Sequence, residues 1–103
     1  MKSAVIKQFT ALEQLGFSTK QTVATIAAAM PGNSIFIAQG DSVIDSSDLP
    51  AVTWGDIVIT KINSARWHAK WYTQNLNDRY YEFGRSGNSS NGSITSWKTV
   101  YSD

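Results

Sequence analysis

The chain contains no cysteine and a single histidine, His68, in 103 residues. Without thiols, disulfides and thiolate metal sites are excluded. With one imidazole there is neither a cluster of His ligands nor a His pair for proton relay, so most enzyme templates and His-based metal sites fall away. An excess of one charge is also missing. Nine Lys and Arg stand against eight Asp and Glu, and the basic residues are scattered from Lys2 to Lys98 without a block. A nucleic-acid surface normally carries a basic stripe, so no nucleic-acid partner is expected. Apolar runs such as Ala27 to Met30 are far shorter than the ~18 residues of a membrane span. Ser3 to Ile6, between Lys2 and Lys7, is too short for the apolar region of an export signal. Membrane insertion is not expected.

What is present points to one folded core. Hydrophobic residues make up 42% and aromatic residues 12% of the chain, enough apolar surface to offset chain entropy. From Lys2 to Phe17, Val5, Ile6, Phe9, Leu12 and Leu15 recur at spacings of three and four, a pattern that fits a helix ended by Gly16; an extended arm fits the β-branched residues. A helix is expected over Thr19 to Met30, where Val23, Ile26, Ala27 and Met30 fall on one face and Pro31 and Gly32 stop it.

Past Pro31 the texture changes to short β-branched and aromatic runs: Ser34 to Gln39, Trp54 to Ile62, Arg66 to Gln74, Arg79 to Gly84 and Ile94 to Tyr101. These predict an antiparallel sheet of about five strands. Gly40 to Pro50 reads as a surface loop, Asn63 with Ser64 and Asn75 to Asp78 as turns, and Ser86 to Ser93 as a mobile polar loop. In the Arg66 run, Trp67, Ala69 and Trp71 alternate with Arg66, His68 and Lys70, so one face is expected in the core and the other in water. The fold class that follows is α+β, one short helix beside an antiparallel sheet, with residues 1–17 as a lead or linker and 18–103 as the β-rich domain.

Few residues carry recognisable chemistry. His68, between Arg66 and Lys70, lacks the carboxylate partner a catalytic or pH-sensing role requires. Asp41, Asp45, Asp48 and Asp56 do not have the spacing of an EF-hand, whose central glycine and terminal Glu are missing. No metal, cofactor or catalytic activity is expected. The four Trp, four Tyr and four Phe mostly read as core staples. Tyr80 and Tyr81, adjacent in a strand, must point to opposite faces, so one of them is left for solvent or a ligand. The candidate ligand-binding set is Arg66, His68, Lys70 and Tyr72 on the polar face, with Tyr80 or Tyr81 from the next strand. Such a row would meet phosphates and sugar faces by attraction and stacking.

The order of four segments carries a resemblance. ALEQLGF at Ala11 to Phe17 is followed by AAMPGNS at Ala28 to Ser34, LPAVTWGDIVITKI at Leu49 to Ile62, and SITSWKTVY at Ser93 to Tyr101. Together they resemble the pyocin-knob type domain of tail fibres and tail spikes of phages and related bacteriocins. The resemblance implies a virion tail-fibre segment, homotrimeric in the intact fibre, in contact with neighbouring fibre segments and with bacterial surface polysaccharide or lipopolysaccharide. It transfers no ligand contact, and it carries Trp97 over as a core residue. The alternatives are a non-catalytic appendage of a polysaccharide-depolymerising tail spike and a free carbohydrate-binding module.

Overall fold

In the computed structural model, which describes residues 6–73 and 80–102, the texture change at Pro31 separates a helical layer from most of a sheet. The chain runs β1 (Lys7–Phe9), a 3-10 turn (Leu12–Leu15), α1 (Val23–Ala29), β2 (Ser34–Gln39) and a short helical turn α2 (Gly40–Val43). A second 3-10 turn (Ser46–Asp48) leads to β3 (Asp56–Lys61), β4 (Arg66–Tyr72), β5 (Tyr81–Asn88), β6 (Ser93–Ile94) and β7 (Lys98–Ser102). The architecture is α+β. Its sheet has seven strands rather than about five, ordered β1-β2-β3-β4-β5-β6 with β7 also on β5. It is mixed, because β1 pairs parallel with β2 while the other pairs are antiparallel.

The extra strands come from two segments that the sequence pattern described differently. Of the two arrangements expected for Lys2 to Phe17, the helix is not found and the extended arm is found in part: the described residues form an edge strand and a 3-10 turn, closed by Gly16 in the left-handed region at φ 87°. Spacings of three and four serve this arrangement too, because Phe9 from the strand and Leu12 from the turn both reach the core. The expected lead segment therefore contributes buried side chains to the same core as the domain. At the other end, the expected strand from Ile94 to Tyr101 is broken into β6 and β7. Thr95 still bonds Ser86 of β5, Ser96 and Trp97 leave the ladder, and the Trp97 ring meets Trp71 edge-on at 6.0 Å.

Helix α1 begins at Val23 rather than near Thr19. Backbone bonds from Gln21 N–H to the Val43 carbonyl and from Asp45 N–H to the Gln21 carbonyl hold Gln21 extended. Thr22 is the cap, its hydroxyl accepting from Thr25 N–H. The Gly40 to Pro50 segment is not a plain surface loop, since Gly40, Val43, Ile44 and Pro50 are buried. Ser86 to Ser93 is not a loose loop either. Strand β5 continues to Asn88, whose Oδ1 accepts from Ser90 N–H and Oγ, and Asn91 does the same for Ser93. The Asn63 turn is closed likewise, its Oδ1 accepting from the Ala65 and Arg66 N–H groups. The expected turn at Asn75 to Asp78 and the start of a strand at Arg79 lie outside the described residues.

The helix layer covers one face of the sheet. Phe36, Ile57, Ile59, Trp67, Ala69, Trp71 and Phe83 point into it and meet Val23, Ile26, Ala27 and Met30. Lys61 also points inward. Its ammonium donates to the Ala27 and Met30 carbonyls at the C-terminal end of α1, where a helix leaves acceptors unsatisfied and favours positive charge.

Burial lowers the Lys61 pKa from its ordinary value. The unfolded chain therefore binds this proton more tightly than the folded one, and stability rises with pH between the folded and unfolded values. The expected result is a denaturation midpoint that climbs through the alkaline range below about 10.4 in the unaltered chain and stays level in Lys61→Met. Parallel profiles for the two chains would show that Lys61 does not cause the rise.

Candidate functional site

Among the described residues no helix packs on the sheet's second face. Strand β4 shows why these residues produce an open face. Its exposure alternates strictly, with Trp67, Ala69 and Trp71 buried, Arg66 and His68 exposed, and Lys70 and Tyr72 half-buried. Because neighbouring strands pair in register, each outward residue heads a row across the sheet. His68 lies between Thr60 and Ser86, Lys70 between Val58 and Gly84, and Tyr72 between Asp56 and Glu82. Beyond Val58 comes Ile37, 44% exposed. Val100 packs against Gly84, where a Cβ would lie 2.9 Å from a Val100 methyl.

The expected row of Arg66, His68, Lys70 and Tyr72 is thus brought together on one surface. Among the described residues the one side-chain ion pair is Arg85–Asp48, so no described carboxylate lies within salt-bridge reach of Arg66 or Lys70. Arg66 and His68 also border a shallow depression of about 280 Å³ with Ile62, Ser86 and Gly87. An exposed cation beside hydroxyl and backbone groups suits anionic or heavily hydroxylated ligands.

The two adjacent tyrosines separate as strand geometry requires. Tyr80 faces outward, its ring 5.6 Å from Tyr101 and its hydroxyl 3.0 Å from Glu82 Oε1. Burial, the Glu82 hydrogen bond and the nearby carboxylate push its phenol above the usual value, so it stays a neutral donor at physiological pH. Tyr81 lies on the core side, stacked on Phe83 at 6.2 Å and packed against the core cluster. Tyr80 therefore joins Tyr72 on the open face and Tyr81 does not. Tyr101, which the pattern places in a terminal strand, completes this end of the surface.

The four clustered aspartates do separate jobs. Asp48 holds Arg85 and accepts from Val23 N–H. Asp45 accepts from the Ser47 hydroxyl and N–H, hydrogen bonds that keep its carboxyl below the usual range. Asp41 and Asp56 border an open depression with Gln39, Trp54 and Gly55. Among the described residues no group of three His, Asp or Glu side chains is placed to hold a metal ion, and no helix is long and apolar enough to cross a membrane.

No family model, curated protein or solved structure matches this chain. The resemblance to pyocin-knob domains consequently rests on the four motifs, and the functional reading rests on the open face. Sequence reasoning missed Trp54 as a surface residue. It was grouped with a strand, yet it lies before β3 and is 40% exposed. The available signal was its neighbour Gly55, a strand-breaking residue just ahead of the β-branched run.

Proposed function

We propose that this chain is a non-catalytic attachment module of a bacteriophage or pyocin tail fibre. It binds bacterial surface polysaccharide or lipopolysaccharide through the uncovered face of its sheet. The observation that carries this reading is the β4 row, where Arg66, His68, Lys70 and Tyr72 stand together on a sheet face that no described helix covers. Basic groups attract the phosphates and acidic sugars of a surface polymer, and tyrosine rings take the apolar faces of its sugars. The motif order supports the fibre setting, in which a homotrimer would present three such faces and raise the avidity of a weak site.

The test is to replace Arg66, Lys70 and Tyr72 by Ala together and measure adsorption of the fibre to host cells, after checking that the melting temperature is kept. At about 1 kcal/mol for each of the three contact residues, adsorption is expected to weaken by about a hundredfold. Unaltered adsorption by a folded triple variant would remove this face from the function.

A further inference from the structure

At the end of the open face away from Arg66, the chain builds a depression of a different character. It holds about 250 Å³ and is bordered by Gln39, Asp41, Trp54, Gly55 and Asp56. Among the described residues no basic side chain lines it. The Gln39 amide donates to Asp41 Oδ2 at 3.3 Å, and Gly40 N–H donates to the Gly55 carbonyl at 2.7 Å. The second bond ties the end of β2 to the turn that carries Trp54.

Gly55 has no room for a side chain, because a Cβ there would lie 2.6 Å from both the Trp71 indole nitrogen and the Tyr72 carbonyl oxygen. The Trp71 N–H beneath it is buried and has no hydrogen-bond partner among the described residues. Trp54 itself meets no other aromatic ring among the described residues and presents 40% of its surface to solvent.

The depression does not stand alone. In the sheet register Gln39, Asp56, Tyr72, Glu82 and Tyr101 follow one another across β2, β3, β4, β5 and β7, and Tyr80 sits against Tyr101. From Asp56 to Tyr101 is three interstrand steps, roughly 15 Å at about 4.8 Å each. Aromatic rings and carboxylates thus alternate along a strip that begins at Trp54.

We infer that the Trp54 depression and this strip form a subsite for an uncharged pyranose oligosaccharide, with Trp54 stacking on one sugar ring and Asp41, Asp56 and Gln39 binding its hydroxyls. A pyranose offers what such a site requires. Its C–H face is apolar and matches the indole ring, and its hydroxyls donate to carboxylate oxygens in charge-assisted bonds. The size of the depression suits one ring, with the tyrosines receiving its neighbours. Three carboxylates, Asp41, Asp56 and Glu82, repel uronic acids and phosphates, so charge separates this subsite from the basic end. The inference rests on the open face being a glycan-binding surface and assigns a sugar class to one end of it.

The experiment is a binding screen of the whole chain against immobilised oligosaccharides in three groups: uncharged, uronic-acid-containing and phosphate-substituted. Uncharged members are expected to be retained at high salt, and about tenfold more weakly by Trp54→Ala. Asp56→Asn, whose side chain is exposed, serves as the second probe and is expected to weaken the same members. Melting temperatures check that both variants fold. Retention of no uncharged member, or of uncharged members equally by Trp54→Ala and Asp56→Asn, overturns the subsite. Acidic members alone, lost with Arg66 and Lys70, overturn it while supporting the basic face. Trp54-dependent sugar binding in a fibre whose adsorption ignores both ends upholds the subsite and overturns the attachment reading.

Discussion

Asp48→Ala is expected to lower the unfolding free energy by about 3 kcal/mol, measured by urea denaturation. Asp48 is the point at which four parts of the chain meet. One carboxylate oxygen is 2.7 Å from Arg85 Nη1 and the other 2.8 Å from Val23 N–H at the start of α1. Its carbonyl accepts from the Trp97 indole at 2.8 Å. Arg85 in turn donates to the Thr95 carbonyl and lies 5.1 Å from the Trp97 ring centre. The Arg85 side chain is only 6% exposed, so removing the carboxylate strands a desolvated cation as well as an N-terminal helix donor. Such a loss is a large part of the about 5–15 kcal/mol that holds a domain together. Asp48→Asn keeps an acceptor for Val23 and is expected to cost less. Adding Arg85→Met to Asp48→Ala is expected to return part of the loss, because it removes the uncompensated charge. A loss below about 1 kcal/mol, the range of solvent-exposed pairs, would show that solvent reaches the pair and that the node is not structural.

The sequence pattern stopped being informative where contacts between distant parts of the chain set the structure. Strand β4 was legible because a strand with one buried face repeats every two residues, and nothing distant was needed to see Trp67, Ala69 and Trp71 turn inward. The body of α1 was legible for the corresponding helical reason. Its start was not, because Gln21 is held extended by backbone bonds to Val43 and Asp45, more than twenty positions along the chain. The N-terminal segment misled in the same way, since parallel pairing of Lys7 to Phe9 with Ser34 to Phe36 is a long-range choice that local spacing does not encode. Polar composition concealed the order of Ser86 to Ser93. The two Asn side chains that close that hairpin use a local mechanism, and it was readable from the Asn and Gly positions.

The candidate site divides along the same line. Arg66, His68, Lys70 and Tyr72 sit on one strand, so alternation alone placed them together. The Trp54 end depends on the ends of β2 and β3 meeting, and on Tyr101 returning beside Glu82 through a bulged register in β5 and β7. Tyr81 shows the limit of composition: alternation required one of two adjacent tyrosines to face inward, and only the packing of Phe83 decides which.

The two glycines that enclose Trp71 are expected to respond differently to the same added methyl group. A Cβ on Gly40 would run into the six-membered ring of Trp71 and approach the Gly55 carbonyl at 3.0 Å, whereas a Cβ on Gly55 would lie 2.6 Å from both the Trp71 nitrogen and the Tyr72 carbonyl oxygen. Trp71 is fully buried and pinned by Trp97, so neither clash is relieved by an easy rotation. Gly40→Ala and Gly55→Ala are each expected to cost about 3 kcal/mol, at the upper end of overpacking penalties. Trp71→Leu alone is expected to cost a similar amount, about 3 kcal/mol, through the cavity it leaves. The double variants then separate the causes. With the indole gone, Gly40→Ala meets a void and is expected to be nearly neutral, a coupling of about 2 kcal/mol or more between contacting residues. Gly55→Ala still meets the Tyr72 backbone, which cannot retreat without pulling β4 from its register, so trimming Trp71 is expected to recover only part of its cost. Equal rescue of both glycines by Trp71→Leu would place the whole constraint in the indole ring and remove the Tyr72 carbonyl as the reason position 55 is glycine.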